Sequence, residues 1–410
     1  MLASAARRVA LRTPGLHRLR RPATPPTPDG PAAPAFNLRY VRTGPRSRPP
    51  IVVIPGGPGL ASVLPYRWFR SRAAARGLDV IMVEHRGVGL SRTDLDGRDL
   101  PAAAMRVEAA VDDIAAVLDA EGVDRAVVFG SSYGGYLAAG LGVRHPSRVA
   151  AMVLDSPMLS VTDPGPERER LRATLWRGDG AAGSGAAIGA LVRQLAATGV
   201  DETDLLVVAR AAYELGGPEL ARRLVSARLT GRGRVAWRLL HAYADRAGAT
   251  RHRRPFLYEF DLVAALAFRQ LHYAPEPDGE PFDAAATYAG AAPGYPAFAG
   301  EPFHLDDALP GFTWPTVVLT GDHDLRTPPA GAERAARLLP HSLLLRLDNG
   351  HSALESHPEV VLHVLASVQA GRWAELADEE GLIARLPRRG PAARLPRLVD
   401  LALRLDGPRG

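Results

Sequence analysis

The sequence runs to 410 residues, 46% of them hydrophobic and 23% charged, enough chain to bury a large core in two or three structural units. It contains no cysteine, which excludes disulfides, thiolate metal sites and a cysteine nucleophile, and no lysine, so all 50 basic residues are arginines. The net charge of +6 sits at the ends: six arginines against Asp29 in 1–36, and seven against Asp400 and Asp406 in 385–410, leave the body at about −4, which argues against nucleic acid or an anionic membrane as a partner.

Residues 1–36 carry Pro22, Pro25, Pro26, Pro28, Pro31 and Pro34 among their arginines and are expected to be a disordered basic extension. They lack the continuous apolar core of a secretory signal, and no run approaches the ~18 apolar residues of a membrane span. A cytoplasmic protein is expected. After a short strand at 38–41, the run Ile51, Val52, Val53, Ile54 reads as a buried strand of a parallel sheet, and it empties into Pro55-Gly56-Gly57-Pro58-Gly59. A helix over 66–76 precedes a second buried strand at 80–83, which ends in the turn Glu84 to Ser91. That turn is expected to be structural, with Arg86 paired to an acid. Val107, Val111, Ile114 and Leu118 then mark one face of an amphipathic helix stopped by Gly122.

The strand 126–129 leads into Gly130-Ser131-Ser132-Tyr133-Gly134, a GxSxG pattern centred on Ser132 at a strand-to-helix turn. Small residues flank such a serine because the turn is tight and a side chain beside it would block a substrate carbonyl. The Tyr133 N–H, at a helix start, is one candidate oxyanion donor. Gly57, in the loop after the first buried strand, is the second.

A further strand at 151–154 ends at Asp155-Ser156-Pro157, and then the β rhythm stops. Helical segments fill 158–312, with Gly and Pro between them, and are expected to lie over the sheet as an inserted cap. Strands resume at 316–320 and 342–347, followed by Asp322 and Asp324 and by Gly350-His351, with helices at 330–339 and 358–370. Alternating short β-branched runs and helices predict an α/β fold, a mostly parallel sheet with helices on both faces. The core is expected at 37–157 and 313–372, with a loosely attached basic tail over 373–410.

A serine hydroxyl needs a base to take its proton, and the base needs an acid to hold its tautomer. Ser132, Asp324 and His351 follow in that order, each just past a predicted strand, where open parallel sheets place their sites. Asp322 is read as a turn or capping residue.

The three glycine motifs, Pro55 to Gly59, Glu84 to Ser91 and Gly130 to Gly135, together resemble those of the α/β-hydrolases of the proline iminopeptidase (prolyl aminopeptidase) group. Its members show HGGPG, DxRGxGxS and GxSxGG in that order, then a helical cap, then GxxD and GH. The resemblance covers roughly 38–370. Pro55 stands where the group has His, at the rim of the site, and Glu84 where it has Asp. The resemblance implies an α/β-hydrolase fold and hydrolysis through an acyl-enzyme at Ser132, with neither metal nor organic cofactor. The implied substrate is a peptide losing an N-terminal proline or other small residue, with a small non-peptide ester, amide or lactone as the alternative. It also implies cap carboxylates that receive the substrate amine, here Glu259, Asp261 and Glu214. Oligomeric state is not legible.

Overall fold

The structure, a computed structural model, describes residues 2–25, 34–47, 49–161, 164–179, 184–244, 253–390 and 392–406. Pro26, Pro28 and Pro31 of the expected basic extension lie outside the described residues.

One sheet holds β1 (Leu16–Pro22), β2 (Ala35–Thr43), β3 (Ile51–Ile54), β4 (Val80–Glu84), β5 (Ala126–Ser131), β6 (Val149–Asp155), β7 (Thr316–Gly321) and β8 (Ser342–Leu347). Their order is β1-β2-β4-β3-β5-β6-β7-β8. The pairs β1–β2 and β2–β4 are antiparallel, and from β4 to β8 every pair is parallel.

Alternate residues of the parallel strands enter two different cores, as the pleat requires. Val52, Ile54, Val128 and Val318 pack on one face against helices that include α3 and α4, while Ile51, Val53, Val127 and Val317 pack on the other, with α2 and the helix Pro358–Gln369. Here α1 is Leu2–Leu11, α2 Arg67–Ala75, α3 Val107–Ala120 and α4 Tyr133–Arg144. The unbroken apolar strands follow from this arrangement, since both faces are covered.

Two expectations fail at the chain ends. Residues 2–25 are ordered: α1 precedes β1, and β1 pairs with β2 along its whole length. His17 stacks on Tyr40 at 5.2 Å between ring centroids, and Arg21 Nε donates to Asp113 at 2.8 Å. The physical reason is the edge of β2, whose open backbone groups a further strand satisfies. The arginines of β1 tolerate this because an edge strand is half solvated. At the other end, Leu395–Leu405 is a helix that packs on the cap through Val399, Leu395, Ala402 and Leu403, and Asp400 pairs with Arg223.

Between β6 and β7 the described residues are helices and turns: α5 (Gly165–Arg172), α6 (Ser184–Ala196), α7 (Glu202–Leu229), α8 (Arg234–Ala244), α9 (Phe260–Leu271) and shorter pieces. Helix α7 is kinked at Gly216 and Gly217, where Gly217 takes φ 70°. The insertion divides internally. Residues of α5 to α8 form their own hydrophobic cluster with Leu325 and Val399, whereas α9, Phe303, Leu305 and Leu309 belong to the sheet's core.

Candidate active site

Ser132 sits between β5 and α4 with φ 55° and ψ −121°, a left-handed conformation that L-residues avoid and that costs on the order of 1–3 kcal/mol. The glycines around it are sterically obligatory. A Cβ on Gly130 would lie 2.1 Å from the Gly134 carbonyl oxygen, and one on Gly134 would lie 2.2 Å from that of Ile54. The turn lifts the serine side chain clear of the sheet, where the loops after β7 and β8 meet it.

His351 Nε2 lies 2.9 Å from Ser132 Oγ, and its Nδ1 lies 3.0 and 3.2 Å from the two Asp324 oxygens. An ionised carboxylate only accepts, so Nδ1 carries the proton and Nε2 is left to accept from the Ser132 hydroxyl. Asp324 is fully buried. Burial alone would push its carboxyl up, but the His351 imidazole and the Thr327 and Arg326 amides hold it below its ordinary value. Those amides donate to Oδ1 at 3.0 and 2.9 Å. Asp322 lies outside this cluster and pairs with Arg346 at 2.6 Å.

The Gly56 to Gly59 loop lies against the elbow: a Cβ on Gly56 would come 3.3 Å from Ser132 Cβ. Gly57 takes φ 133°, and its carbonyl accepts from the Tyr273 hydroxyl at 3.1 Å. Among the described residues its N–H has no acceptor. The Tyr133 N–H opens α4 and has no intrahelical acceptor either.

The three carboxylates expected to receive an amine are dispersed. Glu259 is buried and accepts from the Gly89 N–H, while its own N–H donates to the Gly59 carbonyl at 2.9 Å. Asp261 takes a bidentate pair of 2.8 and 2.9 Å from Arg92. Both therefore fasten the insertion to the core. Only Glu214 lines a small cavity with His351, and there it is paired with Arg326 at 3.0 Å. The turn after β4 is structural as expected, with Arg86 paired to Asp113 at 2.8 Å. Glu84, buried below it, accepts from the Ser62, Val63 and Leu90 amides.

Thr327 and Asp155 escaped notice in the sequence. The Thr327 hydroxyl lies 2.9 Å from Asp324 Oδ2, 2.9 Å from the Ser156 carbonyl and 3.2 Å from His351 Nδ1. Their only signal was position, Asp155 at the end of β6 and Thr327 in the loop after β7. Among the described residues no three His, Asp or Glu side chains are grouped as metal ligands, and no helix is long and apolar enough to cross a membrane.

A mostly parallel sheet flanked by helices, with Ser132, Asp324 and His351 brought together past β5, β7 and β8, defines a class of protein. The chain belongs to the α/β-hydrolase fold family, whose model matches residues 49–358. A proline iminopeptidase of Heyndrickxia coagulans is 30% identical over 111 residues, 27% of this chain and 36% of that protein, so the match spans about a third of the relative's length. Similar solved structures include the esterase RhEst1 from Rhodococcus sp. ECU1013, 20% identical with a TM-score of 0.46, covering 82% of this chain and 95% of that one. A thermophilic esterase from Thermogutta terrifontis is 18% identical with a TM-score of 0.44, covering 90% and 99%.

Proposed function

We propose that the protein is a serine hydrolase that cleaves small carboxylic esters or amides through an acyl-enzyme. The observation that carries this is the unbroken chain of contacts from Ser132 Oγ through His351 to Asp324. Ser132 Oγ attacks the substrate carbonyl while His351 Nε2 takes its proton, and Asp324 holds the Nδ1–H and stabilises the imidazolium. The negative charge on the former carbonyl oxygen is received by the Gly57 and Tyr133 N–H groups. Such a donor is worth about 3 kcal/mol in the transition state. Collapse expels the leaving group, which takes the proton from Nε2. Water, deprotonated by the same nitrogen, then releases the acid and restores Ser132.

A second reading, an aminopeptidase releasing an N-terminal proline or other small residue, rests on the short match to the proline iminopeptidase and on Glu214 beside His351. Against it, Glu259 and Asp261 are committed elsewhere and Arg326 neutralises Glu214. Turnover of an aryl butyrate and of a prolyl anilide, with Ser132→Ala as the blank, separates the two. Ester turnover lost in Ser132→Ala, with negligible anilide cleavage, is expected. Anilide turnover exceeding ester turnover, and losing at least about tenfold in KM for the anilide alone in Glu214→Gln, would establish the peptidase instead.

A further inference from the structure

At the end of β6 a second carboxylate lies beneath the site. Asp155 is 1% exposed and accepts four hydrogen bonds from two loops that carry the chemistry. Its Oδ1 receives the Ala353 N–H at 2.9 Å, and its Oδ2 receives the Leu354 N–H at 3.0 Å, the Ser131 hydroxyl at 2.8 Å and, more weakly, the Ser352 hydroxyl at 3.4 Å. The Ser131 and Ser352 hydroxyls are also 2.7 Å apart. Ser131 precedes the proposed nucleophile and Ser352 follows the proposed base.

The backbone repeats the same connection. The Ser132 N–H donates to the Asp155 carbonyl at 2.9 Å, the Ser352 N–H reaches Ser156 Oγ at 3.3 Å, and the Ser156 carbonyl accepts from Thr327. Three non-glycine residues with positive φ lie in this network: Ser132 at 55°, Ser156 at 44° and Ser352 at 64°. Strained backbone persists only where its surroundings over-determine it, and here the common element is the Asp155–Ser156 corner.

We propose that Asp155 is a positioning residue of the hydrolytic machinery, a buried anion that clamps the Ser132 elbow to the His351 loop and keeps Oγ and Nε2 in register through turnover. This rests on the serine-hydrolase reading. The negative charge matters as well as the shape. All four groups around the carboxylate are donors, so an asparagine would set its NH2 against one of them. Burial holds the carboxyl above its ordinary value, and against it the Leu354 and Ala353 amides, Ser131 and the His351 imidazole favour the ionised form.

The test is the rate of labelling by a fluorophosphonate probe from about pH 5 to pH 9, measured alongside thermal unfolding. Wild type, Asp155→Asn and Ser352→Ala are compared, with Ser132→Ala as the blank. A displacement of about 1 Å at a reacting pair costs roughly a hundredfold. Asp155→Asn is therefore expected to label ten- to a hundredfold more slowly across this pH range, and Ser352→Ala several-fold more slowly. A folded Asp155→Asn that labels within about twofold of wild type across this pH range would overturn the proposal even if its unfolding temperature dropped. Should Asp155→Asn fail to fold, a wild-type rate in Ser352→Ala overturns it instead. Failure of the wild type itself to label removes the serine-hydrolase reading, and the role of Asp155 with it.

Discussion

Asp322 and Asp324 stand two residues apart, and the loop after β7 sends them to opposite environments. Asp324 turns inward to His351 and the amides of Arg326 and Thr327, while Asp322 turns outward to Arg346. Asp324→Asn keeps the shape but offers a donor where Nδ1–H needs an acceptor, so kcat for ester hydrolysis should fall by about 10⁴. Asp322→Asn should leave it within about twofold, because an exposed ion pair contributes under about 1 kcal/mol. A second pair of neighbours, Glu84 and His85, governs stability. Burial pushes Glu84 up to about 7, so the folded state holds its proton more tightly than the unfolded chain does. Its contribution is therefore greatest below the ordinary value of 4.5 and declines as pH rises to 7, by up to about 3 kcal/mol. Burial pushes His85 down to about 4, and among the described residues both its ring nitrogens lack partners. Its contribution is full above 6.5 and is lost as pH falls toward 4. The two slopes oppose each other across the same range. Urea unfolding from pH 4 to pH 8 should show, relative to wild type, a curve tilted toward high pH in Glu84→Gln and toward low pH in His85→Leu. Parallel curves would refute the assignment.

Among the elements, the strands from β3 to β7 were legible because a strand covered on both faces must be apolar throughout, and Val, Ile and Leu runs bounded by glycine or proline leave little choice. The elbow was legible for a steric reason, since Gly130 and Gly134 have no room for a side chain. β1 was not legible. Leu16, Leu19 and four polar or charged residues between them and Pro22 look like solvated chain until the open edge of β2 is known. The same holds for Glu259 and Asp261, whose roles depend on Gly89 and Arg92, some 170 residues earlier in the chain. Removing residues 1–25 should expose the edge formed by Phe36, Leu38 and Tyr40. The shortened protein is expected to unfold at lower temperature and to scatter light at concentrations where the full chain stays clear. An unchanged unfolding temperature would mean that β1 contributes nothing to stability.

At the scale of the whole molecule, the basic ends fold back on an acidic body: Arg21 meets Asp113 near the start of the chain, and Leu395–Leu405 docks on α7 and α8 near its end. That docking gives a consequence to the split within the insertion. Helices α6 to α8 share a cluster with a helix from the far end of the chain, while α9 shares one with the sheet. Hydrogen exchange should report this division as two cooperative units that open with different free energies. Amides of α7, α8 and Leu395–Leu405 should exchange together, and those of α9 with β3 and β5. Val399→Ala should speed the first group alone, by a factor set by the about 0.5–1.5 kcal/mol typical of a small truncation in a core. A molecule built this way is expected to open across its own insertion, with α9 fixed to the sheet and α6 to α8 held by the last helix described.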